Sequence, residues 1–186
     1  MKTAELISLS KEMSKEISYF FYRLKKIHYK IEELIDLAQV MERADMRDVK
    51  PCISIDSHIF LISADIEDLN RSVESFYSSD IIAKNYVGLF MDLFIQNQYN
   101  ISDKDFEQIW YNSINLITEC FRMFRDEQYN LSKKYTELND KIYYSTLDQS
   151  LKDRILTLLE RASSIASLIQ NAIQIPIGSI NPREYI

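Results

Sequence analysis

From Cys52 to Ile175 the chain contains no proline, and its whole length contains only two glycines, Gly88 and Gly178. Proline removes a backbone donor and clashes with the preceding turn, so its absence leaves nothing in that span that forbids long helices. An all-β fold would need Gly, Asn-Gly or Asp-Gly turns at intervals of roughly 8–12 residues. Such turns are missing. The fold is therefore expected to be all-α.

The apolar pattern sharpens this. Met13, Ile17, Phe20, Leu24, Ile27, Ile31, Leu34, Ala38 and Met41 alternate spacings of four and three, the heptad rhythm that keeps one seam facing a neighbour. Phe21, His28 and Ile35 widen that seam on one side, as packing inside a bundle requires. A first helix is predicted from about Thr3 to Arg47, with the connection at Asp48–Ser57 around Pro51. A second carries Ile59, Ile62, Ile66, Leu69, Val73 and Phe76. A third, apolar on most sides, is predicted over 81–98. A fourth begins at Ser102, with Asp105 as an approximate capping-box partner and Ile101 stapling onto Phe106. It runs through Phe124 to Ile142, with a bend or polar layer expected at Glu127 and Gln128. Thr146 and Gln149 suggest a capping box for a fifth helix, carrying Leu151 to Ala172 and stopped by Pro176. The expected architecture is an elongated helical bundle of about five helices over residues 1–175, in which two long heptad-patterned helices form the spine. An extended tail is expected at 176–186, where Pro176 and Pro182 stiffen a chain that is still apolar and could fold back or insert into a partner.

The 186 residues suffice for one domain with a real core. With 22 basic and 28 acidic residues the formal charge is −6, so phosphate backbones are repelled unless a local basic patch exists. A carboxylate at Glu5 interrupts any signal-peptide pattern. The most apolar window, Ile81–Ile95, contains Lys84, Asn85 and Asp92 and is too short to span a bilayer. The expected setting is cytoplasmic, without a membrane partner.

The chemistry-bearing motifs are few. Two isolated glycines cannot build a phosphate-cradling loop. Two histidines and two distant cysteines, Cys52 and Cys120, lack metal-site spacing; Cys120 reads as a core thiol, and a disulfide is left open. Neither His28 nor His58 follows a Glu by three positions, as helical carboxylate di-metal sites require. No cofactor and no metal are expected, and the first expectation is that the chain is not an enzyme.

One short motif points elsewhere. Arg23-Leu24-Lys25-Lys26-Ile27-His28 sets an arginine and a histidine at Arg-x4-His spacing, which resembles the core signature of the HEPN ribonucleases, themselves helical bundles. The resemblance covers six residues and implies that Arg23 and His28 act together on an RNA phosphodiester. The family usually has a polar residue after the arginine and usually carries the motif on a later helix, whereas here Leu24 follows in the first helix. At about 100° per residue the two side chains project about 140° apart, on opposite edges of the Leu24–Ile27–Ile31 seam.

Opposite that seam the same projection gathers Tyr19, Tyr22, Lys26, Tyr29 and Lys30, extended by Lys15 and Glu33. Tyrosine buries area while keeping a polar handle, so three tyrosines among lysines make a good contact surface. The alternative is that another helix of the same chain covers them. Tyr111 and Tyr129 form a sparser set on the outward side of the fourth helix. The leading expectation is a non-enzymatic interaction module (adaptor, chaperone-like or inhibitor/immunity-type bundle) that binds another protein, or a second copy of itself, through the Tyr/Lys face. The alternatives are a HEPN-like ribonuclease using Arg23 and His28, or a nucleic-acid-binding module that stacks bases on the tyrosines.

Overall fold

The computed structural model describes the backbone over residues 2–43, 50–78 and 104–178, and side chains over 15–42, 55–76 and 124–169 together with Glu12 and Arg122. Four helices and no strands are found among the described residues: α1, Lys2–Arg43; α2, Lys50–Ser78; α3, Lys104–Tyr143; and α4, Gln149–Gly178. The chain is all-α. The helix expected over 81–98 lies outside the described residues, as does the start signal at Ile101–Ser102.

Helix ends follow local chemistry, and some differ from expectation. α2 starts at Lys50, inside the expected connection. Pro51 then sits in the first turn, where its missing N–H has no helical acceptor to lose. α3 runs unbroken through Glu127 and Gln128, both half-buried. The α4 cap is not the expected Thr146–Gln149 box. The carboxylate of Asp148 accepts the Leu151 N–H at 3.0 Å, an N-cap bond that also places negative charge at the helix start. Thr146 instead donates to Glu42 of α1 at 2.9 Å, and Gln149 donates to Asp153 at 2.7 Å. Burial of Leu147 between them turns the chain so that Asp148, not Thr146, meets the first free amides. α4 is helical as far as Gly178 and so takes in Pro176.

Contacts along the helices fix their directions. Phe20 packs edge-on against Phe76 at 5.5 Å, while Lys30, further along α1, pairs with Asp65, earlier in α2; the two are antiparallel. Phe21 meets Phe124 and Asp36 meets Lys141, so α1 and α3 run parallel. Arg154 with Asp56 and Arg161 with Ser63 make α4 parallel to α2. The helices form a ring in the order α1, α2, α4, α3, and α1 also touches α4 across the interior. Helices α2 and α3 thus stand on the far diagonal.

The core runs along this interior. Ile17, Phe20, Leu24, Ile27, Ile31, Leu34 and Ala38 of α1 are all buried, so buried positions recur at spacings of three and four. They meet Ile62, Ile66, Leu69 and Val73 of α2, Leu131 and Leu138 of α3, and Ile155, Leu159, Ala162 and Ile165 of α4. Each such side chain contributes about 1.5–3 kcal/mol of transfer free energy. α1 contacts all three other described helices, as α4 does, and this fixes which face of α1 points outward.

Candidate functional site on the outward face of the first helix

With Leu24 and Ile31 fully buried, helical geometry sends Tyr22, Lys26, Tyr29 and Glu33 to the opposite side. Tyr19, Tyr22 and Tyr29 are 54%, 61% and 60% exposed, and Lys26 is exposed between them. Lys30 is half-buried at the α2 edge, where its ammonium pairs with Asp65. No other helix covers the face among the described residues. The stripe continues to Val40, also exposed, a residue the sequence reading did not single out although the same periodicity leads to it.

The two flanks of this face differ. On the α2 side the Arg23 guanidinium donates to Asp68 at 2.6 Å and to Ser72 at 3.4 Å, and lies over the Tyr19 ring at 5.7 Å from its centroid. This cation–π contact and ion pair hold Tyr19 in place. On the α3 side Lys25 pairs with Glu127, Glu32 with Lys134 at 2.8 Å, and Asp36 with Lys141 at 2.7 Å. The hydrogen bond from Lys134, reinforced by the Lys134 and Lys141 charges, holds the Glu32 carboxyl below its ordinary value.

His28 lies on the α3 flank, only 3% exposed. Neither ring nitrogen has a hydrogen-bond partner among the described residues. Burial, and after it the Lys134 charge, lowers its pKa to about 4, so the imidazole is neutral at neutral pH. Arg23 and His28 therefore face different neighbours: Arg23 turns to the acids of α2, His28 to the groove against α3. The structure does not bring them together on one surface.

No family model, no curated protein and no solved structure matches the chain. Its function has to be read from its own surfaces.

Tyr129 of α3 is 71% exposed, on the helix that runs parallel beside α1; the side chain of Tyr111 lies outside the described residues. Tyr143 and Tyr144 stack edge-to-face at 5.0 Å beside the α3–α4 turn, and Phe60 and Leu61 are exposed on α2. The sequence reading missed these four. Phe60 could have been found, since it falls about 160° from Ile62 on a helical projection. Among the described residues no group of three or more His, Cys, Asp or Glu could hold a metal ion, and no helix is long and apolar enough to cross a membrane.

Proposed function

We propose that the chain is a non-enzymatic protein–protein interaction module, of the adaptor, chaperone-like or inhibitor type, acting in the cytoplasm. It docks a partner on the α1 face formed by Tyr19, Tyr22, Lys26, Tyr29 and Lys30. The observation that carries this reading is the exposure of all three tyrosines along one side of a helix whose other side is core. Tyrosine is enriched in interface centres and is over-represented among residues that dominate binding energy.

Charge favours a protein partner over nucleic acid. Lys30 and Arg23 already answer Asp65 and Asp68, which leaves the tyrosines with little cationic company in a chain of net charge −6. Affinity for phosphate backbones comes chiefly from unneutralised Lys and Arg. The ribonuclease alternative has less support, because it needs Arg23 and His28 on one substrate while His28 is buried.

The test is a paired affinity purification from the native host, using the wild-type chain and a Tyr22→Ser/Tyr29→Ser variant. Both substitutions fall on exposed positions, so the helical circular dichroism is expected to stay unchanged. Truncating interface tyrosines costs about 1–2 kcal/mol each or more, so a partner captured by the wild type should bind the variant at least about 30-fold more weakly. A partner that binds both equally would move the docking surface elsewhere.

A further inference from the structure

The exposed crest of α1 runs from Glu12 to Asp36 in alternating steps of three and four residues, about 36 Å at 1.5 Å per residue. Reversing the helix about the level of Leu24 reproduces the same order of steps. Two copies laid antiparallel there would meet crest to crest along this whole length, and the residues brought opposite one another are complementary. Lys15 meets Glu33 of the other copy, Tyr19 meets Tyr29, and Tyr22 meets Lys26. Each pair occurs twice, as an isologous two-fold interface requires. Opposite charges, paired aromatic rings and a cation against an aromatic face are all attractive contacts. Glu12 falls opposite Asp36, whose carboxylate Lys141 already answers at 2.7 Å.

The charges on either side of the crest are satisfied within one copy: Arg23 by Asp68, Lys30 by Asp65, Lys25 by Glu127 and Glu32 by Lys134. On the crest Lys15, Lys26 and Glu33 are exposed and make no hydrogen bond or ion pair among the described residues. Other alignments lose the match. A parallel pair in register sets Lys15, Lys26 and Glu33 each against its own kind. Sliding the antiparallel copies by one heptad sets Lys15 against Lys26 in one direction. In the other it leaves Lys15 opposite Val40 and parts Tyr19 from Tyr29. Like charges brought together across an interface select against such alternatives.

We propose that this face binds a second copy of the same chain, antiparallel and two-fold symmetric, with Lys15 opposite Glu33, Tyr19 opposite Tyr29 and Tyr22 opposite Lys26. This pairing rests on the docking reading of the same face and names its occupant.

The test is sedimentation of the full chain over a concentration series. A contact between two single helices is at the small end of specific interfaces, so a dimer with a dissociation constant of about 1–100 µM is expected. Lys15→Glu and Glu33→Lys each turn two opposite-charge pairs into like-charge pairs and should each weaken the dimer at least about five-fold. The combined Lys15→Glu/Glu33→Lys chain restores both pairs and should dimerise within about two-fold of wild type. Glu160→Lys makes the same change of net charge at an exposed position of α4 and should leave the dimer unchanged. All these positions are exposed, so the helical circular dichroism should not move. Wild type that stays monomeric at about 1 mM overturns the pairing. So does a dimer that the single reversals leave intact, or one that the double reversal fails to restore. Tyr22→Ser/Tyr29→Ser separates the pairing from the docking reading: if the wild type is monomeric yet this variant loses a partner captured from the host, the docking face stands with a different protein on it.

Discussion

Acidification should destabilise this bundle through one side chain. His28 has a folded-state pKa of about 4 against an ordinary value of 6.5, so the unfolded chain holds the proton more tightly. Its contribution to stability is present above pH 6.5 and is lost as pH falls from there towards 4. Complete loss would amount to about 3 kcal/mol, at 1.36 kcal/mol per pH unit between the two values. Between pH 7 and pH 5 the linkage relation gives about 2 kcal/mol, a large fraction of the stability of an ordinary domain. Lys25, Glu32 and Lys134 line the same cavity as the ring, and the Lys134 charge acts on it. Glu32, held below its ordinary 4.5, adds its own loss only at lower pH. Comparison with a variant that lacks the imidazole isolates the share of His28. The assay is urea unfolding followed by far-ultraviolet circular dichroism, in carboxylate-free buffers, on wild type and His28→Leu. Leucine fills the site without ionising and without the unanswered nitrogens, so the variant should match or exceed wild type at pH 7 by about 1 kcal/mol. By pH 5 the wild type should have fallen by about a further 2 kcal/mol relative to it. Parallel curves for the two proteins between pH 7 and 5 would refute the reasoning.

Two further outcomes test the fold. Leu24→Ala, at the fully buried centre of the α1 seam, should cost about 2–5 kcal/mol in denaturant unfolding; a cost under about 1 kcal/mol would mean that α1 does not pack as described. Asp148→Ala removes the α4 cap and should cost about 1 kcal/mol, whereas Thr146→Ala loses only an exposed hydrogen bond to Glu42 and should cost about 0.5 kcal/mol or less. Equal effects would return the cap to Thr146.

The seam of α1 was legible because its period is set by the helix itself. Once Ile17, Leu24 and Ile31 are assigned inward, the outward placing of Tyr22 and Tyr29 follows from geometry alone. The α4 cap was not legible. Thr146 and Asp148 are both acceptable N-caps, and the choice depends on Leu147 reaching the core, which is a tertiary event. Pro51 misled for a related reason: proline reads as a breaker unless it is known to occupy the first turn. The parallel pairing of α1 with α3 was invisible as well, since ring order depends on a connection whose path periodicity does not encode.

The same distinction separates the two halves of the Arg-x4-His motif. Spacing alone sent Arg23 and His28 to opposite edges of the seam, but it could not say what each edge meets. On one edge Asp68 and Ser72 occupy the guanidinium. On the other, α3 delivers Lys134 rather than a carboxylate, and its positive charge adds to burial in keeping the ring neutral. A histidine placed beside an acid would have gained stability from protonation; beside a lysine it loses stability. The histidine is thus acid-sensitive first because it is buried and second because of a lysine more than a hundred positions away, brought alongside by the parallel register of α1 and α3.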